Sequence, residues 1–186
     1  MRNTFMHTAL ALVFIYYPFF IILQPHMKIV IRRIEKSDNP FVAAMIRKVF
    51  DEYDVPREKT VFTDSTTDLL YETFQKNGSV FWVVEVNDNI AGCCGIYPTE
   101  GLDKNCAELV KLYLAKEYRG LGIGKMLLLK SISKAKEMGY EQLYLESFPQ
   151  FFEAIDLYKK QGFKVLENNL GKSGHDACTA WMLMQL

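Results

Sequence analysis

The sequence lacks an excess of charge of either sign, because 22 lysine and arginine residues balance 22 aspartate and glutamate residues. A protein that neutralises the phosphates of DNA or RNA needs a basic surface, and this composition provides no net positive charge for one. We therefore expect no nucleic-acid partner. Repeats and low-complexity segments are also absent, and the 186 residues fit one domain with a sizeable core.

Cysteine is scarce, and the four cysteines do not have the spacing of a metal site. Cys93 and Cys94 are adjacent, whereas Cys106 and Cys178 stand apart from them and from each other. Adjacent side chains in a strand point to opposite faces, so this pair is not spaced like two ligands of one metal ion. We interpret all four as small buried hydrophobic residues in a reducing compartment and expect no bound metal.

One long hydrophobic run is present, at the N-terminus, where residues 5–23 are almost wholly apolar. About 20 apolar residues suffice to cross a bilayer, so residues 1–26 are interpreted either as a membrane anchor or as the product of a start codon assigned too early. More positive charge lies behind the run than ahead of it, which would keep the following domain, residues 27–186, on the cytoplasmic side. We expect a cytoplasmic domain under both interpretations, with membrane contact only if residues 5–23 are translated and inserted.

Apolar periodicity and turn residues predict a mixed α/β order of elements. Strands are predicted at residues 28–34, 80–86, 90–97, 109–114, 142–147, 163–166 and 178–184. Helices are predicted at residues 40–50, 66–74, 126–138 and 151–161. Asn39 is predicted to cap the first helix, with Pro40 at its first position.

The most informative segment is residues 118–125, Tyr-Arg-Gly-Leu-Gly-Ile-Gly-Lys, which we call the glycine-rich loop. It joins a predicted strand to a predicted helix. Alternating glycines leave backbone N–H groups in a nest without Cβ atoms in the way, and the helix dipole points its positive end at the same place. The loop therefore predicts a site for a phosphate or pyrophosphate.

Two other families of phosphate-binding loop fit this chain less well. A Rossmann fingerprint needs its glycines after the first strand, whereas this loop lies beyond the middle of the chain. A Walker A loop needs Ser or Thr after Gly-Lys, and here Lys125 is followed by Met126. Nucleoside triphosphate chemistry is therefore not predicted.

Two motifs resemble the GNAT superfamily of acetyltransferases. Arg119, Gly122 and Gly124 match its signature Arg/Gln-x-x-Gly-x-Gly/Ala, and residues 154–163, Ala-Ile-Asp-Leu-Tyr-Lys-Lys-Gln-Gly-Phe, resemble its Ala-Ile-x-Leu-Tyr-x-x-x-Gly-Phe helix. The resemblance covers residues 27–186, although the first half matches only in its order of elements. It implies an α/β (α+β) GNAT fold, with a mixed, mostly antiparallel central sheet of six to seven strands and about four helices on both faces.

The resemblance also implies an activity, the direct transfer of an acetyl group from acetyl-CoA to an amine of a small molecule or a peptide. A homodimer is compatible with this assignment. The alternative is a catalytically inactive GNAT-like module that binds CoA as a sensor or interaction partner. A membrane-anchored adaptor is a third reading, and it depends on residues 5–23 alone.

The resemblance further assigns residues to the donor site. Main-chain groups of Leu112, Tyr113 and Leu114 would hold the pantetheine arm and the oxyanion of the reaction. Arg119 would support the glycine-rich loop and add positive charge. The pyrophosphate nest would consist of Gly120, Leu121, Gly122, Ile123, Gly124 and Lys125. Tyr158 would protonate the leaving thiolate, although a core tyrosine is the structural alternative.

Two carboxylates compete for the role of the base that takes a proton from the amine. Glu108 lies eleven residues before Arg119, the offset of the base in histone-type members, and Glu146 ends a strand where ribosomal-protein acetyltransferases place one. A carboxylate among apolar strand residues has a raised pKa. A solvated or salt-bridged strand end is an equal alternative for each, and a chain of water molecules would need neither.

The acceptor site is less well specified by the sequence. Residues 148–152 and Trp181 are aromatic and lie near the motifs, and residues 171–175 resemble a flexible loop over the site. Many relatives have an Asn that reaches the cofactor near position 151, where this chain has Phe151, so that contact is in doubt.

Overall fold

The computed structural model describes residues 27–186, and the predictions for residues 1–26 lie outside this range. The strands are β1 (Ile29–Arg33), β2 (Val80–Val86), β3 (Asn89–Tyr97), β4 (Cys106–Leu114), β5 (Gln142–Ser147), β6 (Lys164–Leu166) and β7 (Ala180–Gln185). The α-helices are α1 (Asn39–Tyr53), α2 (Leu70–Thr73), α3 (Ile123–Glu137) and α4 (Phe152–Lys160). A search of the same 160 residues for a helix of sufficient length and apolarity to span a membrane finds none.

The seven strands form one sheet in the order β1-β2-β3-β4-β5-β7-β6. Every neighbouring pair is antiparallel except β4 and β5, which run parallel. That parallel pairing is short, from Cys106 opposite Gln142 to Glu108 opposite Tyr144. The remainder of β4 has no strand partner on this side within the described chain, so a gap opens in the sheet. The predicted fold class is confirmed.

Two apolar cores lie on opposite faces of the sheet. Helices α3 and α4 cover the first core, which contains Leu127 and Leu128, and α1 and α2 cover the second, which contains Ile46 and Leu70. The helices pack there because their apolar residues recur at helical spacing. Cys94 belongs to the first core and Cys93 to the second, which confirms the prediction that these adjacent side chains point to opposite faces. All four cysteines are buried free thiols.

Two details of the helix predictions are wrong. Asn39 is the first residue of α1 rather than its cap, and its side chain instead joins α2, accepting a bond from the Tyr71 N–H and donating one to Glu72, both at 2.8 Å. The helix predicted at residues 66–74 is split into a 3-10 turn, Ser65–Asp68, and the short α2. The Asp64 carboxylate caps that turn at the Thr66 N–H, which offers the backbone an alternative to a continuous helix.

Strand β4 contains a one-residue bulge where it pairs with β3. Cys93 lies opposite Tyr113 but Gly95 lies opposite Val110, so one extra residue is accommodated in β4. Lys111 takes a positive φ of 55° at this point. Leu109 and Leu112 pack in the first core, whereas Val110 and Tyr113 pack in the second, which identifies Lys111 as the residue outside the alternation.

Candidate active site

A cavity of about 590 Å³ lies where β4 and β5 diverge. Eleven of the thirteen predicted site residues line it: Glu108, Leu112, Tyr113, Leu114, Arg119, Gly120, Gly122, Gly124, Lys125, Glu146 and Tyr158. The other two point elsewhere, since Leu121 is exposed and the Ile123 side chain is fully buried in the first core. Only the main chain of Ile123 is therefore available to a ligand.

The glycine-rich loop ends at the first turn of α3, where Gly122 is the residue before the helix. Gly120 and Gly122 have φ angles of 74° and 79°, in the left-handed region that favours glycine, and a Cβ at either position would meet nothing within 4 Å. No side chain of the described chain caps the start of α3. Its first N–H groups thus remain available at an open surface, as an anion requires.

Gly124 has a different structural role from the two glycines before it. A Cβ on Gly124 would lie 3.2 Å from Leu114 Cδ1 and 3.8 Å from Leu157 Cδ2. This glycine lets the start of α3 approach the end of β4. A substitution there would require the Leu114 side chain to move slightly away from α3.

Arg119 holds the glycine-rich loop against the rest of the domain. Its Nε and Nη2 atoms donate to the carbonyl oxygen of Leu114 at 3.1 and 2.9 Å, and Nη2 lies 2.7 Å from Glu52 Oε2. The guanidinium also lies 5.1 Å from the centre of the Tyr53 ring. Sequence reasoning did not find Glu52 or Tyr53, because both partners come from α1, far away along the chain.

Tyr158 lies on α4 with only 6% of its surface exposed, on the wall of the cavity. Burial, with a smaller effect from Cys94, raises the pKa of its hydroxyl well above the ordinary value for tyrosine. The hydroxyl is therefore protonated at neutral pH, which is the form a proton donor needs.

Glu108 is buried at the point where β4 leaves β5, with 3% of its surface exposed. Burial raises the pKa of its carboxyl to about 7, and the negative charge of Glu146 adds to this effect. A hydrogen bond from Thr99 Oγ1 opposes the increase, as do His175 and Lys111. A carboxyl with this pKa exchanges a proton near neutrality.

Glu146 lies at the end of β5, half-buried, and both of its carboxylate oxygens already have partners. Its Oε1 accepts a hydrogen bond from the Tyr144 hydroxyl at 2.8 Å, and its Oε2 accepts one from Ser173 Oγ at 2.7 Å. Burial and Glu146 together raise the pKa of the Tyr144 hydroxyl, which stays protonated as the donor. Glu146 is thus a fixed carboxylate that links β5 to the segment at Ser173.

A second cavity, of about 620 Å³, adjoins the first. Thr60, Glu108, Val110, Lys111 and His175 line both cavities and form a partition between them. The loop predicted at residues 171–175 contributes Lys172, Ser173, Gly174 and His175 to the wall of the second cavity. Lys111 was not found by sequence reasoning, since nothing in the residue pattern marks the bulge that turns it here.

Aromatic side chains form one wall of the first cavity. Phe151 makes edge-to-face contacts with Tyr53, Tyr113 and Phe148, with ring centres 5.0 to 6.1 Å apart. At position 151 the wall of the cavity is therefore an aromatic ring and not the Asn amide considered in the sequence analysis. Phe152 is largely exposed, and neither it nor Trp181 lines either cavity.

Comparison with known proteins agrees with this geometry. Residues 44–163 match the family model described as the acetyltransferase (GNAT) family. The chain belongs to this family, and it is an acyltransferase. It is 37% identical over 158 residues to the uncharacterized N-acetyltransferase YjgM of Escherichia coli K12, an alignment that covers 84% of this chain and 95% of the relative.

Two solved structures share the fold over nearly their whole length. A GNAT-family acetyltransferase from Staphylococcus aureus Mu50 is 25% identical with a TM-score of 0.74, over 86% of this chain and 99% of the other. The PaiA N-acetyltransferase of Thermoplasma acidophilum is 24% identical with a TM-score of 0.70, over 86% of this chain and 100% of the other.

Proposed function

We propose that this chain transfers the acetyl group of acetyl-CoA directly to the amine of a small molecule or a peptide. One observation carries the proposal: the glycine-rich loop, the protonated Tyr158 and the titratable Glu108 line a single cavity. The Thermoplasma acetyltransferase of the same fold was solved in complex with coenzyme A, which supports the same class of donor here.

The donor would lie in the gap between β4 and β5. The N–H groups at the start of α3 would bind the pyrophosphate, with Lys125 nearby as an exposed positive charge. Main-chain groups of Leu112 face the side of β5, where β4 lacks a strand partner in the described chain, so they suit an amide of the pantetheine arm, whereas those of Tyr113 face Cys93 of β3. The Leu114 carbonyl is already held by Arg119.

An ammonium acceptor loses two protons on its way to the amide, and the leaving thiolate gains one. Glu108 in its ionised form would take one proton from the ammonium of the acceptor, and the neutral nitrogen would then form a bond to the acetyl carbon as the bond from carbon to sulfur breaks. The nitrogen would release its second proton to solvent as the amide forms. Tyr158 would protonate the departing thiolate. Glu146, whose two oxygens are engaged by Tyr144 and Ser173, would shape the acceptor side rather than act as the base.

Acetyl-CoA binding gives the first test of this proposal. At a concentration 100 times its Kd, a ligand stabilises the native state by about 2.7 kcal/mol, which raises Tm by roughly 5 to 10 °C in a chain of this size. Gly122→Val should abolish the increase, because a β-branched side chain is strained at a φ of 79° and blocks the open surface. Gly139→Val is the matched control, since Gly139 has a φ of 86°, open space around it and a position remote from the cavity.

Turnover gives the second test. Release of free CoA thiol should be accelerated by a subset of a panel of amines and peptides, and mass spectrometry should detect the acetylated product. An unchanged Tm in millimolar acetyl-CoA would contradict the proposal as a whole. Binding of acetyl-CoA without turnover on any amine would instead favour the inactive CoA-binding module.

A further inference from the structure

We propose that Lys111 selects the acceptor by binding a carboxylate that lies next to the reacting amine, so that the acceptors are amino acids or their derivatives with a free carboxylate. The inference rests on the proposed acetyltransferase function and assigns a substrate class to it. Lys111 lines both cavities, on the partition where acceptor and donor must meet.

The bulge in β4 explains how a lysine comes to lie inside the domain. Lys111 is the extra residue of the bulge, with a φ of 55°, and only 5% of its side chain is exposed. A buried ammonium costs free energy unless its N–H groups find partners. Packing alone therefore does not explain why the Lys111 side chain is buried.

The contacts that the protein itself makes with this ammonium are long. Within the described chain, Lys111 Nζ donates to Thr67 Oγ1 at 3.3 Å and lies 3.5 Å from Asp64 Oδ2. Both distances are long for a charged donor, and an ammonium has three N–H groups to place. The Asp64 carboxylate is also shared, because it accepts bonds from the Thr66 N–H and Oγ1 at 2.9 and 2.7 Å and lies 3.5 Å from His175 Nε2. A ligand oxygen would complete the coordination of Lys111.

The charge around the second cavity favours a single negative charge in the ligand. Its lining contains four lysines and three carboxylates: Lys59, Lys76, Lys111, Lys172, Asp64, Glu100 and Glu108. The pKa of Glu108 is about 7, so this carboxyl is partly neutral at physiological pH and the positive excess increases. A doubly charged phosphate would meet the carboxylates of Asp64 and Glu108, whereas one carboxylate matches one lysine.

The positions of Lys111 and Glu108 also suit an acceptor that carries both a carboxylate and an amine. Both residues belong to β4, on either side of Val110, and all three line the partition. An α-amino acid has one carbon atom between its carboxylate carbon and its nitrogen. A carboxylate bound at Lys111 would therefore keep the amine at the partition, where Glu108 can take its proton.

The test compares free L-amino acids with the corresponding primary amides as acceptors. The wild-type enzyme should show a kcat/KM for its best free amino acids at least tenfold above that for their amides. Lys111→Met should raise KM for the free amino acids by roughly tenfold, the effect of about 1.4 kcal/mol, and should leave KM for the amides nearly unchanged. Lys136→Met, which removes an exposed lysine of α3 outside both cavities, is the control and should change neither.

The outcomes separate this inference from the proposed function. A wild-type preference for amides, or an equal loss on both acceptor classes in Lys111→Met, would overturn the role of Lys111 while leaving the acetyltransferase activity intact. Absence of acetyl-CoA binding in the wild-type protein would instead contradict the proposed function. The wild-type comparison decides the matter even if Lys111→Met does not fold, and Lys111→Arg, which keeps the charge, should keep the preference for free amino acids.

Discussion

Replacing Glu108 with Gln should make the protein more stable above neutral pH and less active there. The carboxyl of an unfolded chain ionises near 4.5, whereas burial raises the pKa of folded Glu108 to about 7. Between these values the folded state binds more protons than the unfolded state, so stability falls as the pH rises through this window. The difference between the two pKa values corresponds to about 3 kcal/mol. Above pH 7 the ionised carboxylate destabilises the folded state by this amount.

Glu108→Gln keeps the shape and removes the charge, so this destabilisation should disappear. At pH 8 the free energy of unfolding should increase by up to about 3 kcal/mol, with a rise in Tm of roughly 6 to 12 °C for a chain of this length. At pH 5, where folded Glu108 is already protonated, the gain should be small. Turnover at neutral pH should fall by about 10²-fold or more, the usual effect of losing a general base.

Denaturant titrations at pH 5, 6, 7 and 8, with matching thermal scans, measure the effect. The control is Glu117→Gln, because Glu117 is exposed and its replacement should give the same small change at every pH. A stability difference that stays constant with pH would refute the reasoning that burial controls the ionisation of Glu108. An unchanged rate would show that Glu108 is not the base.

Two further substitutions test the other residues of the site. Tyr158→Phe should lower kcat by about 10²-fold, as measured by thiol release, and should leave acetyl-CoA binding unchanged, as measured by calorimetry. The control is Tyr140→Phe, which removes a remote hydroxyl that donates to the Gly78 carbonyl and should change neither quantity. Unaltered turnover in Tyr158→Phe would mean that another group protonates the thiolate. Glu146→Gln should raise KM for the amine more than it lowers kcat, and it should move the pH–rate profile toward lower pH because loss of its charge lowers the pKa of Glu108. Loss of the pH dependence together with a fall in kcat of about 10²-fold in this variant would make Glu146 the base.

The sequence predicted the parts of the fold that depend on local pattern. The bounds of β2 and β5 match the predicted strands, because each is a short apolar run with turn residues nearby. The glycine-rich loop is also recognisable from local sequence, because Gly120 and Gly122 occupy positions with positive φ angles that favour glycine. Eleven predicted residues line one cavity because the order of the strands in the sheet brings their segments together.

The remaining features arise from contacts between segments that are distant in the chain. The Asn39 side chain joins α2 rather than capping α1, and Asp64 meets Lys111 across 47 positions of sequence. The environments of Glu108 and Glu146 differ because Thr99 and Ser173 reach them from separate loops. Residue types along the chain do not encode such distances, so the sequence favours Glu108 over Glu146 only by its offset from Arg119 and by the strand that leads into the glycine-rich loop.

The bulge in β4 ties the opening of the active site to the integrity of both cores. Side chains alternate along a strand, so a regular β4 that kept Lys111 within the alternation would exchange the faces of every residue after it. Tyr113 would leave the second core, and Leu112 and Leu114 would leave the first. A regular strand is therefore not accessible to this sequence by a small adjustment. The irregularity that turns Lys111 toward the partition is maintained by packing on both sides of the sheet, and loss of Lys111 itself is the single deletion here that would leave Leu112 and Tyr113 on their present faces.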